Sequence, residues 1–181
     1  VPALAIWSPE DGILGAVAPL ALAAAAGTAL VVDLDPGGPR YPGAATLARL
    51  VADGPRRSDL EPDGKGVAVL ANGGIEPEAA EEVLAALVQG WPAVVFRLPA
   101  DHRGGDGAVP ILPLVPGNLL VGVSFPAVYQ RSGWNVEPPG PGIVLPRPRR
   151  AVLGALLTGV APSVKDPWIR AFRRVWERRW V

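Results

Sequence analysis

Ser8-Pro9-Glu10-Asp11-Gly12-Ile13-Leu14-Gly15 links a short apolar strand, Ala3–Trp7, to an almost wholly apolar, Ala-rich run over Ile13–Ala26. A strand–turn–helix junction of this length is where a nucleotide-binding α/β protein seats phosphates. It does so on backbone N–H groups released by glycines, with a lysine beside them. The stretch has that position and length, but its chemistry differs. It carries two carboxylates, Glu10 and Asp11, and no lysine.

Ile13–Ala26 is expected as a helix buried against a sheet and closed by Gly27. Pro19 should kink it or mark a late start. Residues 28–34 have the uninterrupted apolar character of a central parallel strand, and Asp35-Pro36-Gly37-Gly38-Pro39 forms the loop after it. A short helix is expected over 44–52, a polar connection over 53–66 and a third strand over 67–71, ending in Asn72-Gly73-Gly74. Pro77 suits the first turn of the next helix, with Glu76, Glu78, Glu81 and Glu82 near the positive end of its dipole; Gly90 stops it. Residues 93–98 make a fourth strand. A Gly/Pro-rich loop is expected over 100–117, a fifth strand over 119–124 and a single helical turn over 126–131. A proline-rich connection over 135–142 leads to a sixth strand over 143–146 and a helix over 149–157. Asp166 caps a last helix that has Pro167 at its first position and runs to the C-terminus. This alternation predicts one α/β domain, with a doubly wound, mostly parallel sheet and helices on both faces. Residues 1–163 form its body, and residues 164–181 form a C-terminal basic amphipathic helix.

Composition bounds the chemistry. The chain has 181 residues, 22 Gly, 22 Pro, no Cys and one His, and 49% of it is apolar. Disulfides, thiolate metal sites and multi-histidine metal sites are excluded. A folded domain fits this balance better than disorder. Residues 1–146 carry 8 basic and 15 acidic side chains, a net of −7; residues 147–181 carry 9 and 2, a net of +7. An acidic body with a basic tail suggests that the tail meets something anionic: a membrane, nucleic acid, another protein or the body itself. The N-terminus lacks the basic region of a signal peptide. The 14-residue apolar run is shorter than the ~20 residues needed to span a bilayer. The expectation is a cytoplasmic protein, with peripheral contact to the inner membrane as the variant.

The order strand, Ser-Pro-x-x-Gly loop, Ala-rich helix, then Val31-Val32-Asp33-Leu34-Asp35-Pro36, resembles the MinD/ParA-type branch of the P-loop ATPases. That branch includes CpaE/TadZ-like proteins of pilus assembly and septum-site proteins. In that family the loop reads approximately Lys-Gly-Gly-x-Gly-Lys-Thr and the second strand ends Val-Asp-x-Asp-Pro. Laid on the family pattern, the first lysine falls on Glu10 and the glycine after it on Asp11. The phosphate-binding lysine falls on Gly15 and the magnesium-binding Thr on Ala16. Asp33, Asp35 and Pro36 keep the Asp-x-Asp-Pro element, whereas Arg97 stands where the fourth strand of the family ends in Asp. The resemblance therefore implies a P-loop-ATPase-like fold with a degenerate nucleotide site: Glu10, Asp11, Gly12, Gly15, Ala16, Asp33, Asp35 and Arg97. The formal charge of the loop changes from +2 to −2, which at low effective dielectric repels a triphosphate by several kcal/mol. Ala16 offers no hydroxyl to Mg²⁺, and Arg97 removes a carboxylate. No cofactor is expected, ATP and Mg²⁺ included, and Glu10 and Asp11 are left to face a partner. An ordinary flavodoxin-like or Rossmann-like domain is the structural alternative. Asp33 and Asp35 are a relic of a nucleotide or metal site or, as the expected reading, one of them pairs with Arg97 on a nearby strand, which fills the vacant cation position. A hydrolase has little to build on, since Ser8 lies in no Gly-x-Ser-x-Gly elbow and His102 is the only base.

The last helix carries a second signal. Trp168, Phe172, Val175, Trp176 and Trp180 recur at helical spacing as one apolar stripe. Arg170, Arg173, Arg174, Arg178 and Arg179 supply most of the remaining surface. Basic amphipathic helices with interfacial Trp bind anionic membrane surfaces. The helix also resembles the membrane-targeting helix of MinD-type proteins. The alternatives are packing on the protein's own sheet or on a second subunit; nucleic acid is disfavoured for want of a motif. Together these readings lead to a non-catalytic scaffold or localisation factor, working through a protein partner or as a homodimer, in cell division, chromosome positioning or pilus or secretion assembly. The alternatives are a nucleotide-binding ATPase switch with a non-standard loop and a membrane-surface adaptor.

Overall fold

In the computed structural model, residues 2–10, 12–37, 41–62, 64–102, 107–117 and 126–180 are described. Among the described residues, seven strands form a sheet in the order β3-β2-β4-β1-β5-β6-β7, and every pair in it is parallel. They are β1 (Ala3–Trp7), β2 (Ala29–Asp33), β3 (Val67–Leu70), β4 (Val94–Arg97), β5 (Val109–Leu114), β6 (Ala127–Arg131) and β7 (Gly142–Leu145). The helices are α1 (Ile13–Ala26), α2 (Leu47–Asp53), α3 (Arg57–Leu60), α4 (Glu81–Gly90), α5 (Arg150–Leu157), α6 (Pro167–Ala171) and α7 (Arg173–Glu177), with a 3₁₀ turn at Pro77–Ala80 leading into α4.

All five residues of β2 are buried, as expected of a central parallel strand covered on both sides. Successive side chains of a strand point to opposite faces, and β2 divides accordingly. Ala29 and Val31 belong to a core with α1, α5, α6 and α7, and Leu30, Val32 and Leu34 to a second core with α2 and α4. A third, smaller cluster joins Leu112, Leu114, Ala127 and Tyr129, with Val136 from the proline-rich connection against it.

Several sequence expectations are corrected. Residues 109–114 are not loop but strand β5, despite Pro110 and Pro113. Its ladders are partial, with β1 reaching only Val109 and Pro110 and β6 covering Ile111 to Leu114. Val109, Ile111, Leu112 and Leu114 are all buried, and that burial outweighs the lost N–H donors. Residues 126–131 are not a helical turn: Ala127–Arg131 is strand β6, its first four residues buried. The apolar run Ala127-Val128-Tyr129, followed by Gln130 and Arg131, is too short to show a period that separates strand from helix. The polar connection contains the short helix α3, where Arg56 N–H donates to Asp59 Oδ2 at 2.8 Å. The second helix begins late, at Leu47, because Thr46 caps it by accepting the Arg49 N–H at 3.2 Å. Asp166 caps α6 as expected, taking the Trp168 N–H at 2.8 Å. The helix is nonetheless broken at Phe172 by i→i−3 bonds (Phe172 N–H to Ile169 O, 3.1 Å; Val175 N–H to Phe172 O, 3.0 Å) and ends at Glu177. The strand expected over 119–124 lies outside the described residues.

Gly90 does not stop α4; it is the helix's last residue, at a close approach to α3. A Cβ there would collide with the Leu60 carbonyl oxygen. Gly90→Ala is therefore expected to cost about 1–3 kcal/mol by overpacking. Gly154→Ala, on α5 with open space around it, should gain about 0.5–1 kcal/mol from helix propensity. Urea denaturation of the two variants checks the opposite signs.

Candidate functional site

Arg97 ends β4, in register with Ile6 of β1 on one side and Asp33 of β2 on the other. This is the edge at which α/β proteins gather their ligand-binding loops. The guanidinium is buried and forked. Nη1 donates to Asp33 Oδ1, and Nη2 donates to Asp35 Oδ2 at 2.8 Å. Asp33 Oδ1 also accepts the Asp35 N–H at 3.1 Å, and Asp35 Oδ1 accepts the Gly37 N–H at 2.9 Å. The Asp-x-Asp-Pro turn is thus wrapped around its own carboxylates. Asp33 Oδ2 is buried without a hydrogen-bond partner among the described residues. Burial lifts the Asp33 carboxyl above its ordinary value, against the pull of Arg97. Burial also works against the charge on Arg97, but Asp33, Tyr41 and Asp35 outweigh it and hold the guanidinium above its ordinary value.

Glu10 does not face outward. Its Oε1 accepts the Gly12 N–H at 2.9 Å and its Oε2 accepts the Leu14 N–H at 2.6 Å. These N–H groups belong to the start of α1, where no helical carbonyl can satisfy them. The Glu10 N–H donates to Ser8 Oγ at 3.2 Å, and the Gly15 N–H donates to the Glu10 carbonyl at 3.1 Å. The turn binds an anion, and that anion is its own side chain. Gly15, on which the family's lysine falls, has no room for a side chain: a Cβ there would lie 2.6 Å from the Glu10 carbonyl oxygen. Ala16 accepts the Tyr41 hydroxyl on its carbonyl at 2.8 Å. Between this turn and the sheet lies a cavity of about 10 Å³, lined by Trp7, Ser8, Gly15 and Arg97 among others, room for about one water. Asp11 lies outside the described residues.

The structure therefore gathers Gly15 and Arg97 around one small space, and Asp33 and Asp35 onto Arg97. Glu10 and Gly12 lie in the turn itself. Sequence reasoning missed Tyr41, whose hydroxyl ties the start of α1 to the segment after Asp35; the only signal was an aromatic residue in an otherwise Gly/Pro-rich stretch. No group of three or more His, Cys, Asp or Glu side chains that could hold a metal occurs among the described residues.

The C-terminal helix lies elsewhere, on the α1 side of the sheet. Trp168, Phe172 and Val175 are buried in the same core as α1. Trp168 Nε1 donates to Gln130 Oε1 at 2.7 Å, and its ring meets Phe172 edge-on at 5.2 Å. Gln130 went unnoticed in the sequence because a lone glutamine in a strand carries no pattern. Trp176 Nε1 donates to the Leu22 carbonyl of α1 at 2.9 Å. Trp180 Nε1 reaches the Val175 carbonyl at 2.9 Å, with the Arg178 guanidinium 5.2 Å above its ring. Arg170, Arg173, Arg174 and Arg179 are exposed. None of the helices among the described residues is long and apolar enough to cross a membrane.

No protein-family model matches the chain, and no curated protein sequence matches it either.

Two outcomes follow from this packing. Arg97→Leu, which removes a buried cation shared by two carboxylates, is expected to cost about 3–5 kcal/mol. Adding Asp33→Asn and Asp35→Asn should return much of that loss, because the three groups act as one network. A denaturation series showing additive losses would break this account. Phe172→Ala should cost about 3–5 kcal/mol and Arg173→Ala less than about 0.5 kcal/mol, a contrast readable in the same assay.

Proposed function

We propose that this chain is a MinD/ParA-like pseudo-ATPase, with a doubly wound, P-loop-ATPase-like fold, that acts as a scaffold or localisation factor through protein contacts. The observation that carries this reading is the Glu10 carboxylate bonded to the N–H groups at the start of α1. In a working phosphate loop these groups cradle the phosphates. A triphosphate would have to displace an anion already held within the chain, then tolerate its charge nearby. The metal side fits no better. Ala16 offers a methyl group where a hydroxyl is needed, and Arg97 places a permanent cation where a carboxylate would approach Mg²⁺. The residues present do not fit a nucleotide with its magnesium ion. With the chemistry lost, a protein partner or a homodimer across the loop face gives the fold its use, in cell division, chromosome positioning or pilus or secretion assembly. A membrane-surface role would rest on the exposed arginines and the half-buried Trp176 and Trp180, since Trp168, Phe172 and Val175 lie in the core.

The rival is a nucleotide-binding switch with a non-standard loop. One feature favours it: an open cavity of about 610 Å³ lined by Pro36, Gly37, Tyr41, Thr46, Gly73 and Gly74, at the C-terminal ends of β2 and β3, within the size range of small-molecule sites. Isothermal titration with ATP and ADP, with and without Mg²⁺, separates the two. The pseudo-ATPase gives no binding heat. Micromolar binding by the wild type, abolished in Asp33→Ala, would overturn it. Restoring the family residues with Gly15→Lys and Ala16→Thr is expected to lower the thermal midpoint rather than create binding, because position 15 has no space for a Cβ.

A further inference from the structure

The two charged surfaces of this protein point in opposite directions. Glu78 on the 3₁₀ turn and Glu81 and Glu82 on α4 are all exposed, and no Lys, Arg or His occurs between Lys65 and Arg97 to offset them. The inner side of α4, Val83 and Leu87, packs in the core that contains Leu30 and Val32 of β2. On α6 and α7, Arg170, Arg173 and Arg174 are exposed, and none of them forms an ion pair among the described residues. The inner side of these helices, Trp168, Phe172 and Val175, packs in the core that contains Ala29 and Val31. Neighbouring residues of β2 face opposite ways, so the sheet separates the glutamates from the arginines. The basic tail cannot meet the acidic helix of its own chain.

We propose that the arginine face of α6 and α7 docks on the glutamate face of α4 in a second copy of this chain. Complementary patches on one molecule with a formal net charge of zero attract at short range without overall repulsion between copies. The two patches differ, so the contact is heterologous and joins copies head to tail, into a ring if the rotation closes and a linear array if it does not. A second copy is favoured over a lipid surface because Trp168, Phe172 and Val175 of the apolar stripe are buried in the core, and Trp176 and Trp180 are partly buried against it. A contact built from exposed ion pairs is weak and salt-sensitive. The inference rests on none of the nucleotide reasoning: a chain found to bind ATP would fail the titration above and could still self-associate in this way.

Sedimentation velocity of the full chain, at ionic strengths from about 0.01 M to about 1 M, tests it, since the screening length falls over that range from about 30 Å to about 3 Å. The wild type is expected to associate at low salt and to sediment as a monomer at high salt. A triple variant Arg170→Glu, Arg173→Glu, Arg174→Glu and a second triple variant Glu78→Lys, Glu81→Lys, Glu82→Lys should each be monomeric at low salt. An equimolar mixture of the two should associate again, because each then offers the charge the other lacks. Circular dichroism confirms that both variants are folded, as surface substitutions should be. A wild type that stays monomeric at low salt would overturn the proposal, as would association surviving either reversal, or a mixture that stays monomeric. Binding of the monomeric wild type to anionic vesicles or to RNA, lost in the arginine variant, would likewise overturn it and assign the arginine face to that partner.

Discussion

The buried guanidinium of Arg97 is shared by Asp33 and Asp35, two carboxylates supplied by one turn at the end of the neighbouring strand. Taking three charges out of water costs several kcal/mol for each ion, and only good geometry with further hydrogen bonds offsets that. Here the geometry exists because β4 lies between β1 and β2, which puts Arg97 in register with Asp33. The turn then folds back so that Asp35 reaches the second nitrogen of the fork. The strand order, the Asp-x-Asp spacing and Arg97 depend on one another. Removing any one leaves charge buried at the sheet edge.

The turn before α1 solves a related problem with opposite signs. A helix start presents unsatisfied N–H groups and partial positive charge, and an enzyme can lend these to a substrate. In this protein Glu10 takes them, while the strand edge behind has acquired its own cation and its own anions. Each of the two centres draws its principal opposite charge from within the chain. Such a surface suits steady recognition by shape and charge better than exchange of a highly charged ligand, and this physical contrast underlies the proposed loss of catalysis.

Much of the fold was legible because β1, β2, β3, β4 and β7 are short apolar runs between clear turn signals, and the Ala-rich α1 could hardly be anything but buried. β5 was not legible, since Pro110 and Pro113 read as breakers and only the tertiary burial of Val109, Ile111 and Leu112 shows otherwise. β6 failed for a different reason: four buried residues in a row carry no period. At the site, the pairing of Arg97 with the aspartates could be foreseen from charge complementarity across adjacent strands. The direction of Glu10 could not, because a loop carboxylate turns inward or outward on backbone angles that residue type alone does not set. The stripe of the last helix was plain in the sequence. Its destination was not, since α1 and a membrane offer equally apolar surroundings.

The contact between Trp176 and the Leu22 carbonyl joins positions 154 residues apart. During synthesis, α1 therefore leaves the ribosome long before the helices that cover it. For that interval a 14-residue segment with no charged side chain has only the sheet, itself incomplete, to lie against. Non-local closure of this kind slows folding and leaves apolar surface open to aggregation. The core around α1 is whole only when the tryptophan-bearing turns of α6 and α7 lie on it.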